Sequence, residues 1–345
     1  MAFTSGLPAH FSSIFHQLGQ PELTLGRVVH DSGGLVRVQT SAQETSVCSA
    51  RRGEALAPVT GDWVAIERAG GVIEHVLPRH NEFSRHAPGR ATARQTLAAN
   101  VDWVFILMSL DGDFSVRRIE RYLTLCHASR TRAVVFLTKA DACGDVAARV
   151  ARVERVAPQT PVHAIDVVAG IDAESPHQYL GKGATAAVLG SSGVGKSTLV
   201  NALVGRCASA TQAVRKNDDK GRHTTSGRAL FLLENGAALI DTPGLRELAL
   251  WADAEDVHAA FPDVHALTHA CRFRDCHHGS EPGCALRSAG ERGEIAETRL
   301  ESYRKLLSES EAHGARRMQH ARRARGREIA RAARDIQTRK YGRRD

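Results

Sequence analysis

A glycine-rich loop near the middle of the chain has residue types and spacing suited to phosphate chemistry, Gly190-Ser191-Ser192-Gly193-Val194-Gly195-Lys196-Ser197-Thr198. It fits the pattern G-x-x-x-x-G-K-[ST] without a mismatch. Its glycines let the backbone curl so that successive N–H groups point at one chain of phosphates. Lys196 then reaches the β- and γ-phosphates, and Ser197 places its hydroxyl on a magnesium ion between them. The loop therefore predicts binding of a nucleoside triphosphate with Mg²⁺.

The flanks of this loop match the context that the motif needs. Residues 184–189 form a short apolar run typical of a buried parallel strand, and residues 196–204 have the apolar spacing of a helix. A chance Gly/Ser loop between a strand and a helix is the alternative, and these flanks disfavour it.

A second phosphate-binding element follows at Asp241-Thr242-Pro243-Gly244, directly after the apolar run 237–240. In phosphate-loop folds an aspartate at this place holds a magnesium-bound water, and Gly244 can donate its backbone N–H to a γ-phosphate. The same four residues also form a common turn. Their pairing with the phosphate loop favours the nucleotide interpretation.

A candidate base-binding element stands earlier in the chain, Thr138-Lys139-Ala140-Asp141, directly after the apolar run 133–137. The carboxylate of Asp141 can accept from both N1–H and N2–H of guanine while the stem of Lys139 lies over the base. Adenine lacks this pair of donors, so the element predicts GTP rather than ATP. Four such residues are weak evidence alone, and their place at a strand end in the same sheet strengthens it.

Apolar runs alternate with helical spacing around these motifs. The predicted strands are 101–108, 133–137, 162–168 and 184–189, the predicted helices are 116–128, 146–156 and 196–204, and a hairpin at 228–233 and 237–240 follows. This alternation predicts an α/β, doubly wound parallel sheet. The polar, unpatterned stretch 213–227 has the composition of a switch segment.

Short alternating segments broken by turn residues fill the chain before the sheet, at 26–30, 35–40, 44–50, 61–67 and 72–76. They predict a small barrel. An OB-type barrel is favoured because such barrels commonly carry oligonucleotides on a strand face, and a small barrel with a purely structural role is the alternative. Residues 1–20 predict a short helix or a loose arm, and the polar, Ala- and Arg-rich stretch 88–100 predicts a linker.

Three of the seven cysteines crowd into one C-terminal stretch, Cys271, Cys276 and Cys284, with His277 and His278 between them. An odd number and this crowding suit a metal rather than a disulfide framework. Three thiolates and one imidazole form the closed ligand set of a structural Cys3His zinc site, to which either histidine could contribute. Reduced surface cysteines without a metal are the alternative.

Length and charge bound the remaining possibilities. The 345 residues suffice for two or three domains, and no window approaches a membrane span, so a cytoplasmic location is expected. The net charge of +8 is concentrated in residues 316–345, where twelve Lys or Arg stand against three Asp or Glu. Such a block suits contact with nucleic-acid phosphates, and a solvated helix is the alternative. The same two interpretations apply to the arginines around the cysteines, Arg272, Arg274 and Arg287.

Between the cysteines and the basic tail, residues 291–309 predict a helix. Its apolar positions, which we expect to face inward, are Ile295, Leu300, Tyr303 and Leu306.

The order of these motifs, with a barrel before them and a cysteine cluster after them, resembles the ribosome small subunit-dependent GTPases, the RsgA family of bacteria. The resemblance covers about residues 23–303. Beside the motifs already given, it rests on Gly61-Asp62-Trp63-Val64, Ala98-Ala99-Asn100-Val101-Asp102 and Lys220-Gly221-Arg222-His223-Thr224-Thr225. In the wider GTPase superfamily the base element follows the phosphate loop, whereas here it precedes the loop by about fifty residues. The resemblance therefore implies a circularly permuted GTPase domain.

The resemblance also implies roles in hydrolysis. Leu245 stands where Ras-like enzymes have the glutamine that orients the attacking water, so another group must do so. His223 matches the histidine to which the family's catalysis is attributed, and a neutral imidazole can accept from water and polarise it. A histidine that only packs or caps the switch is the alternative. Thr224 or Thr225 supplies the second hydroxyl on magnesium, and the resemblance favours Thr225.

Three positions need the family pattern to be interpreted. The pattern selects His278 over His277 as the fourth zinc ligand. Thr138 stands where the family usually has Asn, which removes an amide that ties the base loop to the phosphate loop. The family's later base-contacting Ser-Ala element, expected near residues 164–166, has no clear counterpart.

The sequence as a whole predicts a cytoplasmic monomer of three parts. These are an N-terminal arm and OB-type barrel over residues 1–85, a circularly permuted GTPase domain over 86–262, and a zinc-binding helical domain with a basic tail over 263–345. The resemblance implies a GTP hydrolase that binds the small (30S) ribosomal subunit and its 16S rRNA during late maturation, with hydrolysis stimulated by the subunit. The rivals are a phosphate-loop enzyme acting on a small substrate and a zinc-dependent RNA-binding module whose nucleotide site is only structural.

Overall fold

The computed structural model describes residues 7–32, 35–41, 44–50, 57–67, 71–87, 90–205, 228–241 and 252–341. The N-terminal elements are α1 (Ala9–Gln17), β1 (Leu23–Ser32), β2 (Leu35–Gln39), β3 (Thr45–Ala50), β4 (Trp63–Glu67), β5 (Val72–Val76), β6 (Glu82–Ala87) and β7 (Arg90–Ala99). The central elements are β8 (Trp103–Ser109), α2 (Val116–Ala128), β9 (Arg132–Thr138), α3 (Val146–Val156), β10 (Val162–Ala164), β11 (Thr185–Gly190), α4 (Lys196–Val204), β12 (Arg228–Leu232) and β13 (Ala238–Asp241). The C-terminal helices are α5 (Ala254–Ala260), α6 (Pro262–Thr268), α7 (Ala285–Glu291) and α8 (Glu297–Tyr341). No described helix combines the length and the apolar composition needed to cross a bilayer.

A parallel sheet in the order β10-β9-β8-β11-β13 lies at the centre of the molecule, and β12 extends it antiparallel to β13. The strands β8 and β11 are buried almost throughout, because helices cover both faces. On one face α2 and α5 contribute Ile119, Leu123 and Val257 to a core, and on the other α4 contributes Leu199 and Leu203. The predicted alternation of strands and helices in a doubly wound sheet is confirmed.

The N-terminal strands close on themselves. They pair in the order β1-β2-β3-β5-β4, and β4 pairs back to β1, so the five strands form a barrel in which only β3 and β5 run parallel. The barrel is filled by small branched side chains, among them Val28, Val38, Val64 and Ile73. The end of β1 also pairs with β12, so that barrel and central sheet share one run of hydrogen-bonded strands.

The prediction of a linker at 88–100 is wrong. Residues Glu82–Ala87 and Arg90–Ala99 form an antiparallel two-stranded sheet. Its apolar side chains Phe83 and Leu97 are 1% exposed and belong to the main core. In the second strand, arginines and threonines alternate with smaller residues, and a two-stranded sheet accommodates this alternation. The linker prediction relied on polar composition and therefore overlooked the strand pattern.

Two predicted boundaries also shift. The strand expected at 162–168 ends at Ala164, because Asp166 turns the chain by accepting from the backbone N–H groups of Val168 and Ala169. The helix expected at 291–309 is broken at Gly293, whose φ of +71° is left-handed. A new helix, α8, starts at Glu297 and runs for 45 residues through most of the basic tail.

Helix α8 is fixed to α2 and α6 by a buried arginine. Arg299 donates to Glu120 on α2 at 2.7 Å and to Asp263 on α6 at 2.8 Å, and Arg299 and Glu120 are 6% and 1% exposed. The predicted inward positions Leu300, Tyr303 and Leu306 are buried, and Ile295 packs partly buried just before the helix. Because losing one partner of a buried ion pair is costly, this network holds the first part of α8 in place.

Two of the stretches that carry the resemblance meet where the barrel joins the sheet. Gly61 has a φ of +96°, and a Cβ there would lie 2.2 Å from the carbonyl oxygen of Ala99. Asn100 Nδ2 donates to the carbonyl of Gly61 at 3.1 Å, and its Oδ1 accepts from the backbone of His80 at 3.1 Å. The motif around Gly61 and the one around Asn100 therefore lock the barrel, the β6–β7 pair and β8 together.

We expect Gly61→Ala to destabilise the protein by about 3 kcal/mol or more, because the methyl group meets backbone and the left-handed φ is strained. Gly144→Ala is the matched control, since a Cβ there meets nothing within 4 Å. The measurement is urea denaturation followed by circular dichroism. Equal midpoints for the two variants would contradict the close packing at Gly61.

Candidate nucleotide site and metal centre

The predicted nucleotide motifs follow the carboxyl ends of neighbouring strands. Register pairs Gly190 of β11 with Leu107 of β8, and Ser109 of β8 with Thr138 of β9. On the other side, Val188 of β11 pairs with Asp241 at the end of β13. Since parallel strands end at one edge, this edge gathers the phosphate loop, the base element and the aspartate, which is where open α/β sheets bind ligands.

The glycines of the phosphate loop are required by its geometry. A Cβ on Gly190 would lie 2.7 Å from the carbonyl oxygen of Leu107, so no side chain fits there. Gly193 and Gly195 have φ values of +76° and +97°, and Gly195 caps α4. The loop thus wraps tightly from β11 into the helix and presents the amino end of α4 to a ligand.

Lys196 lies folded onto the loop that it follows. Its Nζ donates to the carbonyl oxygens of Gly190, at 2.8 Å, and Ser191. Ser197 and Thr198 are exposed at the first turn of α4. A cation, exposed hydroxyls and the helix amino terminus therefore converge on one surface, which suits a phosphate chain.

The base element is tied directly to the phosphate loop. Thr138 is 6% exposed, and its hydroxyl donates to the carbonyl oxygen of Val194 at 2.7 Å. This bond takes the place of the amide that the family's usual Asn would provide. The departure at Thr138 therefore leaves the two loops connected.

Lys139 is held in position by an aspartate that sequence reasoning missed. Its Nζ donates to Asp111 at 2.7 Å, and Asp111 also accepts from the hydroxyl of Ser109 and the backbone of Asp113. The hydrogen bond from Lys139, followed by the other two, holds the pKa of Asp111 well below its usual range. The available signal was an acidic residue directly after strand β8, in the same sheet as the base element.

A second missed residue, Asp166, lies where the unassigned base-contacting element was expected. Its carboxylate accepts from Val168 N at 2.8 Å and Ala169 N at 2.6 Å. These backbone bonds lower its pKa, as does a side-chain contact with Asp141, which is exposed on the 3-10 turn Ala140–Ala142. The loop after β10 therefore borders Asp141, and it carries a carboxylate instead of Ser-Ala.

A third missed aspartate bridges the phosphate loop and α2. Asp113 accepts from the hydroxyl of Ser191 at 2.6 Å and from both terminal nitrogens of Arg118 at 2.6 and 3.0 Å. The Arg118 guanidinium, with the Ser191 hydroxyl next, lowers the pKa of Asp113. The first turn of α2 is in this way attached to the phosphate loop.

Several predicted residues lie outside the described residues, namely His223, Thr224, Thr225, Thr242, Pro243, Gly244 and Leu245. Their roles, and the binding roles of the described motif residues, stay predictions.

The C-terminal cysteines come together with one histidine. One ligand atom from each of Cys271, Cys276, His278 and Cys284 lies within 4.8 Å of all the others. His278 Nδ1 is 3.6 Å from Cys271 Sγ and 4.0 Å from Cys284 Sγ. His278 is buried while His277 is exposed, so the structure places the former among the thiols.

This cluster could hold a metal ion, and its dimensions suit tetrahedral ligation. Metal–sulfur and metal–nitrogen bonds of zinc length at a tetrahedral angle place S and N about 3.6 Å apart. Burial, followed by the neighbouring thiols, raises the pKa of Cys276 to about 11, and burial lowers the pKa of His278. The imidazole is therefore neutral and ready to ligate, whereas a metal must displace thiol protons.

Arginines surround the cluster as the sequence indicated. Arg272 and Arg274 are exposed, while Arg287 is half-buried and donates to the carbonyl oxygen of Ser280 at 3.1 Å. Arg272 also lies over the ring of Phe273 at 5.4 Å. Arg272 and Arg274 are therefore accessible to solvent.

We expect the purified chain to carry one metal ion in this cluster and Cys284→Ser to lose most of it, measured by inductively coupled plasma mass spectrometry. Cys143→Ser is the matched control, because Cys143 is a free cysteine outside the cluster. Metal affinity should rise with pH, since binding releases protons from thiols such as Cys276. Full metal content in Cys284→Ser would contradict the site.

We expect Thr138→Val to weaken binding of GDP about tenfold, because the buried carbonyl of Val194 loses its donor. Thr138→Asn should retain affinity by restoring an amide. The measurement is titration with a fluorescent GDP analogue. Thr131→Val removes a comparable hydroxyl, which donates to Cys126 O at 3.3 Å away from the loop, and should bind like the wild type. Equal affinity of Thr138→Val would show that the tie is dispensable.

The chain is similar to proteins of one known family. The sequence model of the RsgA GTPase family matches residues 76–251. The small ribosomal subunit biogenesis GTPase RsgA 2 of Vibrio parahaemolyticus is 46% identical over 258 residues, covering 74% of this chain and 71% of that protein. The small ribosomal subunit biogenesis GTPase RsgA of Opitutus terrae is 43% identical over 318 residues, covering 87% and 84%.

Solved structures agree with the sequence relatives. The crystal structure of YjeQ from Thermotoga maritima aligns with a TM-score of 0.62 at 28% identity, covering 84% of this chain and 98% of that one. YloQ, described as a circularly permuted GTPase, aligns with a TM-score of 0.57 at 21% identity, covering 85% and 96%, and shows the shared fold alone. From the family match, these relatives and a base element that precedes the phosphate loop, it follows that the chain belongs to the RsgA GTPase family and has its circularly permuted fold.

Proposed function

We propose that this protein is a GTPase that binds the small ribosomal subunit and hydrolyses GTP to GDP and phosphate during late maturation of that subunit. The observation that carries the proposal is the bond between Thr138 and Val194, which joins a guanine-type base element to a phosphate loop despite their reversed order in the chain. The names of the relatives, small ribosomal subunit biogenesis GTPases, support the cellular role.

In this proposal the nucleotide lies along the carboxyl edge of the sheet. Asp141 accepts from the guanine edge, and the stem of Lys139, held by Asp111 at 2.7 Å, supports the base. Lys196 exchanges its bonds to the carbonyls of Gly190 and Ser191 for oxygens of the β- and γ-phosphates. The bonds that it gives up are local, so the exchange needs no rearrangement of the sheet.

Magnesium is the expected metal partner of GTP, and it would neutralise charge on the phosphates. Ser197 and Thr225 supply hydroxyls for it in this proposal, and Asp241 at the end of β13 orients one of its waters. His223 orients and polarises the attacking water, because Leu245 cannot. Gly244 donates its backbone N–H to the γ-phosphate. Hydrolysis is slow until the small ribosomal subunit binds.

The metal at the cysteine cluster is zinc in this proposal, in a structural role. Three thiolates and one imidazole leave no open ligand position, and zinc prefers this set and spacing. The backbone N–H of Ala285 donates to Cys271 Sγ at 3.4 Å, which stabilises a thiolate and couples the site to α7.

RNA contact is assigned to the two ends of the chain. The strand order β1-β2-β3-β5-β4 with closure onto β1 supports the OB-type assignment of the barrel, a class that binds oligonucleotides. At the other end α8 continues past the body as a helix with exposed arginines at 316, 322, 323 and 325, which suit the phosphates of 16S rRNA. The proposed parts keep the bounds 1–85, 86–262 and 263–345, in a monomeric, cytoplasmic protein.

The test measures GTP and ATP hydrolysis by the purified chain with and without small ribosomal subunits. We expect slow turnover of GTP alone that rises strongly with the subunit. His223→Ala should lower the stimulated rate by about a hundredfold or more, the usual contribution of a positioned acid–base group. His177→Ala, an exposed histidine on the turn Ser175–Tyr179, is the matched control.

Each alternative predicts a different result in this assay. Binding of GTP without turnover under any condition would favour an RNA-binding module with a structural nucleotide site. Turnover that the subunit does not change would overturn the ribosome-coupled role and favour an enzyme with a small substrate. Normal stimulation in His223→Ala would leave the GTPase standing and remove His223 from the mechanism.

A further inference from the structure

A second cavity, here called the seam cavity, lies where α1, the barrel and the central sheet meet. Its volume is about 590 Å³, which is within the range of ligand pockets. The charged and aromatic residues that line it include Arg27, Trp63, His80, Asp102, Arg132 and Lys182.

The seam cavity is distinct from the nucleotide site, because it lies at the opposite edge of the same sheet. Asp102 directly precedes β8, and Thr185 is the first residue of β11. The phosphate loop and the base element follow the last residues of β11 and β9. A strand of six or seven residues separates the two edges by about 20 Å.

A buried arginine forms part of the cavity wall. Arg27 is 2% exposed, and its Nη2 donates to the hydroxyl of Thr185 at 2.7 Å. Its guanidinium carbon lies 4.9 Å from the ring centre of Trp63. Within the part of the chain that the structure describes, Nε of Arg27 donates to no acceptor. The charge is thus buried with one neutral hydrogen bond and one aromatic face for compensation.

The acids nearest to Arg27 are already engaged. Asp62 accepts from Arg79 at 2.7 and 2.8 Å and from the backbone of Val59 at 2.8 Å. Asp102 accepts from the backbone of Thr185 at 2.8 Å. Burial lowers the pKa of Arg27 to about 10, and the charges of Asp102 and Asp62 only partly oppose this. A buried cation without a paired anion is costly, so an anion in the cavity would stabilise it.

The mouth of the cavity adds positive charge. Arg132 and Lys182 are exposed, and the guanidinium of Arg132 lies 4.2 Å from the ring centre of Trp103. With Arg27 they give three cations against the single carboxylate of Asp102 among the lining residues. A guanidinium fork at the wall and two cations at the mouth suit a dianionic phosphate better than a single carboxylate.

We infer that the seam cavity is a second ligand site, which takes a small molecule carrying a phosphate group. The phosphate lies against Arg27, and Arg132 and Lys182 contact it from the mouth. A small ligand is favoured over duplex RNA because Arg27 is almost fully buried. The phosphates of an RNA duplex lie on the surface of a wide double helix and would not reach it. This site is independent of the nucleotide site and of hydrolysis.

The test titrates inorganic phosphate into the full chain, saturated with GDP and Mg²⁺ so that the phosphate loop is occupied. Binding is followed by calorimetry and by tryptophan fluorescence, since Trp63 and Trp103 lie under Arg27 and Arg132. We expect saturable binding of phosphate and none of acetate at equal ionic strength. The double variant Arg132→Ala/Lys182→Ala should weaken phosphate binding at least tenfold, about 1.4 kcal/mol.

The matched control is Arg155→Ala/Lys305→Ala, which removes the same two charges from exposed positions on α3 and α8. Its affinity for phosphate should equal that of the wild type. Arg27→Met, checked for folding by circular dichroism, should abolish phosphate binding. If Arg27→Met does not fold, the comparison between Arg132→Ala/Lys182→Ala, the mouth variant, and its control decides the question. The inference is overturned if phosphate does not saturate the GDP-loaded chain, or if mouth and control variants bind it equally.

Discussion

The nucleotide site depends on one short contact between two loops that lie far apart in the chain. The hydroxyl of Thr138 donates to the carbonyl of Val194 across a separation of 56 residues. The bond is possible because β9, β8 and β11 are parallel neighbours, so their carboxyl ends meet at one edge. Gly190 adds the matching constraint, since any side chain there would meet the carbonyl of Leu107. The same arrangement of strands places Asp241, at the end of β13, beside β11.

Circular permutation keeps this edge intact and changes what is attached to it. The chain reaches the sheet from a barrel whose first strand pairs with β12, and after β13 it continues to the C-terminal cysteine cluster. Helix α2 connects the region of the phosphate loop with α8. Its first turn holds Asp113 against Ser191 of the phosphate loop through Arg118, while Glu120 and Arg121 pair with Arg299 and Glu309 of α8. Helix α2 is therefore linked to the phosphate loop through Asp113 and pairs directly with the first part of α8.

Buried arginines show how the parts are joined. Arg79 pairs with Asp62 at the barrel, and Arg299 pairs with Glu120 and Asp263 under α8, so that each buried cation has an anion. At the junction of barrel and sheet, the partners of the Arg27 side chain among the described residues are the hydroxyl of Thr185 and the face of Trp63. Arg79 and Arg299 therefore stabilise contacts between elements through ion pairs, whereas the surroundings of Arg27 suit an additional anion.

The sequence by itself determined the phosphate loop, the base element, the cysteine cluster and the alternation of strands and helices, because these depend on local spacing and residue type. It failed at 88–100, where polar residues conceal a pair of strands, and at 291–309, where Gly293 breaks a helix. Only the tertiary structure decided that Thr138 still reaches Val194, that His278 and not His277 joins the thiols, and that Asp111, Asp113 and Asp166 border the site. The contacts of Thr138, Asp111, Asp113 and Asp166 join segments that are separated along the chain, and strand register and packing set their distances. The contacts of His278 are short-range, but adjacent histidines have the same composition and only the folded loop distinguishes them.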